Sequence, residues 1–170
     1  NRFKANIENI YFGYPGIGSH VISYSQNPIE ALANTQQFLE LTRGKFKRLL
    51  TFNMIFDYHD DNTKRLMIIN QLTPLVEYYN IEGVIVCDFS LGVLIHQQWP
   101  NLDIQTSCNT FQFNLNSYRL WHVSVGTTTF NPPREILRTP QLLKQVKSLG
   151  FKLKCIVNEA CIYGCPQNIN

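Results

Sequence analysis

The chain has 170 residues, of which 44% are hydrophobic and 16% charged, and this composition indicates one globular domain with a sizeable core rather than a disordered chain. Its formal net charge of +3 at pH 7 is too small to indicate a nucleic-acid-binding surface. No apolar run approaches the ~20 residues of a membrane-spanning helix, so we expect a cytoplasmic protein without membrane contact.

Short apolar runs alternate with amphipathic stretches along the sequence. Asn27 and Pro28 are typical of a helix N-cap and first turn, and Gly44 is typical of a helix end. The run from Gly83 to Cys87 is apolar throughout, as in strands that are buried on both faces. In chain order the pattern predicts a strand at 9–13, a helix at 27–44, a strand at 48–53, a helix at 63–79, a strand at 83–87, a short helix ending at Pro100, a strand at 103–107, a helix at 114–121, a strand at 127–130 with a weaker alternative at 122–125, a helix at 139–150 and a strand at 153–157.

This order of strand then helix recurs about six times with short connections, which predicts an α/β fold with a parallel sheet. Such units connect right-handedly, so the carboxyl ends of all strands meet at one edge. That edge is where sites are built in barrels and in open sheets.

Polar side chains and cysteines are concentrated at the predicted carboxyl ends of the strands. The polar ones are Asn53, Asp88, Ser107, Asn109, Arg134, Asn158 and Glu159. Four of the five cysteines fall at the same edge, namely Cys87, Cys108, Cys161 and Cys165. The fifth, Cys155, lies inside the last predicted strand and is expected in the core.

The cysteines allow two interpretations. Thiolates favour zinc and iron–sulfur clusters, and Cys161 and Cys165 flank a turn that ends in Pro166, so they are candidate metal ligands. Cys108 or Cys87 would supply a third ligand. Free cysteines are also common as small buried apolar residues. This is the alternative interpretation of Cys87 and Cys108, and it has equal weight. An odd number of cysteines in a domain of this size argues against a disulfide framework.

Charged residues at the same edge are candidates for catalysis. Glu159 has the chemistry of a general acid or base, and Arg134 that of a clamp for an anionic group. Arg134 could equally pair with Glu135 beside it. Asp88 is the third catalytic candidate. The residues expected to line a substrate pocket are Asn53, Ser107, Asn109 and Asn158.

The final block resembles the signature of a known family. Residues 157–166 read Val-Asn-Glu-Ala-Cys-Ile-Tyr-Gly-Cys-Pro, which is similar to the N-E-G-C-L-x-x-C-P signature of the U32 peptidases, the collagenase-like proteases. Ala160 stands where that family has glycine. The segment also fits the family at Asp88, at 99–107 and at 134–135, and the early strands fit more loosely.

The resemblance implies a TIM-like (β/α) barrel, of which this chain would hold about six strand–helix units instead of eight. Residues 1–170 would then be a single barrel domain or a fragment of one, and a partner chain or a second copy would close the sheet. From several relatives the resemblance also implies an iron–sulfur cluster, with zinc or no metal as alternatives.

The function implied by the resemblance is a peptidase-like hydrolase or an iron–sulfur-dependent modification enzyme. Either would act at the carboxyl-end rim of the barrel, on a peptide, an RNA or a small molecule. A non-catalytic binding or scaffold subunit on the same barrel is the alternative.

Overall fold

The structure is a computed structural model that describes residues 7–15, 27–53, 62–110 and 112–156. Within these ranges the strands are β1 (Asn9–Phe12), β2 (Lys47–Phe52), β3 (Gly83–Val86), β4 (Asp103–Thr106), β5 (Thr129–Phe130) and β6 (Lys152–Leu153). The helices are α1 (Pro28–Thr42), α2 (Asn62–Thr73), α3 (Phe89–Gln98), α4 (Leu115–Val125) and α5 (Pro140–Ser148), with a π-helical turn at Pro74–Tyr78 and a 3-10 turn at Ile136–Arg138. None of the helices in these ranges is long and apolar enough to cross a membrane.

The six strands form one sheet in the order β1-β2-β3-β4-β5-β6, and every neighbouring pair is parallel. Each connection therefore steps in the same direction, and right-handed connections then place the helices on one face. A doubly wound sheet would reverse its order and carry helices on both faces. The sequential order is that of a (β/α) barrel wall.

A contact between its two edges shows that the sheet is strongly curved. β1 and β6 are five strand spacings apart, which is about 24 Å on a flat sheet. The Nζ atom of Lys154, one residue after β6, nevertheless lies 5.8 Å from the ring centroid of Tyr11 in β1. Extended lysine and tyrosine side chains together span only about half of the flat distance. The strands therefore form an open barrel arc, with these two side chains on its concave face.

The hydrophobic core lies between the sheet and the helix layer. Leu50 of β2 and Val84 of β3 are fully buried in one cluster with helix residues such as Leu72 and Ile95. All four residues of β3 are buried, as their unbroken apolar run predicts. The convex side of the arc is thus its packed side.

A buried cation anchors the amino-terminal end of β2. Arg48 is 1% exposed, and its guanidinium donates to both carboxylate oxygens of Glu82, each at 3.1 Å. It also donates to the carbonyl oxygens of Leu39 at 3.1 Å and of Asn80 at 2.6 Å. One side chain therefore joins α1, the loop before β3 and β2 itself.

The boundary after α4 differs from the sequence prediction. Residues 122–125, the weaker strand alternative, form the last turn of α4. Gly126 ends this helix with φ 71°, and its N–H donates to the carbonyl of His122 at 2.9 Å. A residue with left-handed backbone geometry commonly ends a helix at this position. Gly126 therefore sets the end of α4, and the helix continues to Val125.

The last strand is also shorter than expected within the described part of the chain. It covers Lys152–Leu153 instead of 153–157, and the residues from 157 onwards lie outside the described ranges. The placement of Cys155 in the core is wrong, because the chain leaves the sheet before this residue and its side chain is exposed.

Candidate functional site

The first residues after β2, β3 and β4 lie side by side at the carboxyl edge of the sheet. The N–H of Cys87 donates to the carbonyl of Phe52 at 3.1 Å, and the N–H of Ser107 donates to the carbonyl of Val86 at 2.7 Å. The parallel ladder therefore continues one residue past each strand, and the strand register aligns Asn53, Cys87 and Ser107 in one row.

Ser107 is the centre of a hydrogen-bonded cluster at this rim. Its Oγ donates to Oδ1 of Asn53 at 3.0 Å and accepts from the backbone N–H of Asn109 at 3.2 Å. Thr110 Oγ1 donates to the carbonyl of Ser107 at 2.8 Å. Because Ser107 is buried, its hydroxyl is held in one orientation. Three of the four residues predicted for a substrate pocket thus lie together; whether they bind substrate stays a prediction.

Asp88 lies directly after the row and begins α3. Its Oδ1 accepts from the backbone N–H of Leu91 at 3.0 Å, so the carboxylate is the N-cap of this helix. The side chain is buried at the amino-terminal end of the helix. This contact gives Asp88 a positioning role; its predicted catalytic role remains a prediction.

Cys87 is buried beside Asp88 in the middle of the row. Its pKa is raised to about 12, first by burial and then by the neighbouring charges of Asp88 and Cys108, against one backbone hydrogen bond that lowers it. The thiol is therefore protonated at neutral pH. Its burial is that of a small buried apolar residue, one of the two interpretations offered by the sequence. Cys87 as a metal ligand stays a prediction.

Cys108 follows Ser107 and is half-buried at the rim. Its Sγ donates to Oδ1 of Asn109 at 3.7 Å. Within the part of the chain that the structure describes, no three or more His, Cys, Asp or Glu side chains are grouped so that they could hold a metal ion. The described residues thus do not by themselves fit a metal or a cluster, and Cys108 as a ligand stays a prediction.

One of the remaining predicted site residues lies in a loop that the structure describes, and the others lie outside the described ranges. Arg134 is half-buried in the loop after β5, where its carbonyl accepts from the N–H of Leu137 at 3.2 Å. Four of the predicted site residues lie outside the described residues, namely Asn158, Glu159, Cys161 and Cys165.

The concave face carries a polar network that the sequence patterns do not reveal. Lys47 of β2 forms an ion pair with Oδ2 of Asp103 in β4. The same Oδ2 accepts from Nε2 of Gln105 at 2.6 Å, and Oε1 of Gln105 accepts from Nζ of Lys154 at 3.0 Å. Gln105 is 1% exposed, so the network is fixed by a buried amide. It links β2, β4 and the end of β6 across the arc.

Lys154 is a member of this network with a lowered pKa. Partial burial is the main cause of the lower pKa. The negative charges of Asp103 and Glu8 raise the pKa, and the positive charges of Lys47 and Lys152 lower it. Its loss of solvent is thus not fully offset by neighbouring carboxylates.

The sequence contained one signal for this site. Lys152 and Lys154 flank Leu153 with the period of two that places side chains on one face of a strand. The predicted strand at 153–157 gave these two lysines no role.

Comparisons with known proteins identify the family. The sequence model described as peptidase family U32 matches residues 2–164. The chain belongs to peptidase family U32. The uncharacterized protease MJ1657 of Methanocaldococcus jannaschii is 23% identical over 171 residues, which cover 99% of this chain and 50% of that protein. This U32 chain therefore spans half the length of its curated relative.

A solved structure shows the same fold. The U32 peptidase Mk0906 superposes with a TM-score of 0.76 at 12% identity, over 95% of this chain and 65% of that one. The TIM-like (β/α) fold with about six parallel strand–helix units is thus confirmed. At this identity the likeness concerns fold alone.

Proposed function

We propose that this U32 chain is a peptidase-type hydrolase that holds a peptide across the carboxyl-end rim of its barrel strands. The observation that carries the proposal is the cluster of Asn53, Ser107 and Asn109 at that rim. Hydroxyl and amide groups are uncharged donors and acceptors, which suit the backbone of a peptide. Support also comes from the family, in which one relative is called a protease and another a peptidase.

Ser107 binds or orients in this proposal and is not the nucleophile. Its hydroxyl hydrogen is donated to Asn53, and its oxygen already accepts a backbone N–H. A serine nucleophile needs an adjacent base that takes its proton. Among the described residues no histidine makes a hydrogen bond to this hydroxyl.

We assign the acid–base step to Glu159. Its carboxylate would take a proton from water as the water attacks the peptide carbonyl, and would return the proton to the departing amine. Arg134 would stabilise the negative charge on the carbonyl oxygen in the tetrahedral intermediate. Asn158 would bind the peptide beside Glu159, and Asp88 would position the rim through α3.

Hydrolysis of internally quenched fluorescent peptides by the purified chain tests this proposal. Glu159→Gln is expected to lower kcat by about 10²- to 10⁴-fold, because a general base is lost. Asn53→Ala should chiefly raise KM, since it removes a binding contact. Ser148→Ala, at the exposed end of α5, is the control and should change neither constant.

Two results would contradict these assignments. If the folded chain cleaves no peptide in a broad library, the peptidase proposal is wrong, and the scaffold alternative is favoured if a partner is still bound. If Glu159→Gln cleaves as fast as the original chain, the acid–base assignment is wrong.

The half-buried rim position of Cys108 favours a second proposal, a metal-dependent modification enzyme. Cys108, Cys161 and Cys165 would hold an iron–sulfur cluster, or alternatively zinc. Iron, zinc and acid-labile sulfide are measured in anaerobically purified protein. Bound metal that falls in Cys108→Ser but not in Cys155→Ser would support the proposal, and absence of both metals would refute it.

A further inference from the structure

Lys154 occupies an unusual position on the concave face. It follows β6 and is aligned with Asn131 after β5 and with Ser107 after β4, because its N–H donates to the carbonyl of Phe130 at 2.8 Å and Gln105 pairs with Thr129. It therefore belongs to the carboxyl-end row of the sheet. Its Nζ reaches inward to Gln105 and lies above the ring of Tyr11.

The surroundings leave the ammonium without a paired carboxylate. Asp103 directs its Oδ2 to both Lys47 and Gln105, and the partner of Lys154 in the network is the neutral amide of Gln105. Among the described residues no carboxylate lies within salt-bridge distance of Lys154. A partly buried charge held by an amide and an aromatic face is stabilised less than one paired with a carboxylate.

We propose that Lys154 binds the C-terminal carboxylate of a peptide ligand at the concave side of the rim. Gln105 positions the ammonium through its Oε1, and Asp103 with Lys47 positions Gln105 through its Nε2. Lys154 alone contacts the ligand in this proposal. The other three residues of the network are positioning residues that act through Lys154. That the ligand is a peptide rests on the proposed function; that the site takes an anion does not.

The charge balance around the site favours a single carboxylate over a polyanion. Among the described residues, the charged groups acting on Lys154 are Lys47 and Lys152 with the carboxylates of Asp103 and Glu8. Three lysines thus face two carboxylates, and the excess is one positive charge. A nucleic-acid backbone requires several lysines or arginines without such carboxylates.

The site has a defined pH dependence. Only protonated Lys154 attracts a carboxylate, and partial burial lowers its pKa. Affinity should therefore fall as pH rises through a value below that of an ordinary lysine. A bound carboxylate stabilises the ammonium, so ligand binding should move this titration to higher pH. Tyr11, whose pKa is raised by burial and by Glu8, stays neutral in the same range.

The experiment measures binding of N-acetylated tripeptides by calorimetry, as the free acid and as the C-terminal amide. The free acid should bind about 10- to 100-fold more tightly, the usual contribution of a hydrogen bond to a charged group. Lys154→Met should remove this preference, with Lys154→Gln as a second neutral variant if the first does not fold. Lys147→Met, which removes an exposed charge on α5, is the matched control and should keep the preference.

The outcomes separate this inference from the proposed function. Equal affinity for acid and amide, or a preference that survives in a folded Lys154→Met or Lys154→Gln protein, overturns the carboxylate site. A Lys154-dependent preference without any peptide cleavage keeps the site and refutes the peptidase. Tighter binding of a short single-stranded RNA than of the acid tripeptide, lost in Lys154→Met, also overturns the proposal.

Discussion

At the scale of single residues, Arg48 shows how a buried charge is satisfied. Its guanidinium donates to both carboxylate oxygens of Glu82 and to two carbonyl oxygens from different segments, and its removal takes away all four of these hydrogen bonds. Glu82 is 36% exposed and can be hydrated once Arg48 is gone. We therefore expect Arg48→Met to lower the free energy of unfolding by about 1.5–3 kcal/mol, as for the loss of hydrogen bonds to a charged group. Urea unfolding followed by circular dichroism measures this.

The matched control is Arg43→Met. Arg43 pairs with Glu40 at 3.3 Å, and both side chains are about half exposed, at 42% and 51%. Such surface pairs contribute under about 1 kcal/mol. Equal losses in the two variants would contradict the structural role given to Arg48.

Cys87 gives a second prediction at this scale. With a pKa of about 12, its thiolate fraction at pH 8 is on the order of 10⁻⁴, and the side chain is buried. Iodoacetamide at pH 8 should therefore leave Cys87 unmodified in the folded chain while Cys155, which is exposed, is alkylated. Peptide mapping by mass spectrometry reads both sites. Rapid labelling of Cys87 under native conditions would show that its environment is polar or open.

At the scale of elements, the close approach of β3 and β4 depends on Gly83. A Cβ at this position would collide with the backbone carbonyl of Asp103 and lie 2.8 Å from Cδ2 of Leu49. A backbone atom cannot move aside as a side chain can, so we expect Gly83→Ala to cost about 1–3 kcal/mol of stability. The melting temperature should fall accordingly.

Gly44→Ala is the control for this substitution. Nothing lies within 4 Å of a Cβ there, and the cost comes only from its φ of 68°, about 1 kcal/mol. If the melting temperature of Gly83→Ala is equal to or above that of Gly44→Ala, β3 and β4 are further apart than the structure has them.

Sequence patterns predicted the order of elements because strand and helix periodicities differ and the caps are local. Asn27, Asp88 and Asn114 each cap a helix through side-chain bonds to N–H groups two or three residues on. The predicted end of α4 at residue 121 is four residues too early, because the β-branched Val123 and Val125 are typical of strands. The left-handed conformation of Gly126 sets the actual end of the helix.

The site was predictable only where it follows from strand ends. Asn53, Ser107 and Asn109 meet because parallel strands end at one edge, which the strand–helix order already implies. The network from Lys47 to Lys154 depends on curvature that brings the edges of the sheet together, and no local pattern encodes that curvature.

At the scale of the whole molecule, the two faces of the arc have different tasks. The convex face is closed by helices and holds the core, whereas the concave face and the carboxyl-end rim carry the polar groups. That a partner chain or a second copy completes the barrel is a proposal. It concerns the two open edges of the sheet, of which one is the outer edge of β6. In the described residues this edge has no partner strand.

The outer edge of β6 has a backbone donor that a second copy could use. In β6 the N–H groups of Lys152 and Lys154 bond to β5, so the N–H of Leu153 points to the open side. If a strand of a second copy pairs there, Leu153→Pro should weaken association, because proline removes the outward donor without touching the β5 ladder. Sedimentation over a range of concentrations measures the dimer fraction. Leu153→Ala is the control, because it loses the same packing against the core but keeps the N–H. Strand pairing is indicated only if the dimer fraction falls further in Leu153→Pro than in Leu153→Ala. A chain that stays monomeric at every concentration would contradict closure by a second copy.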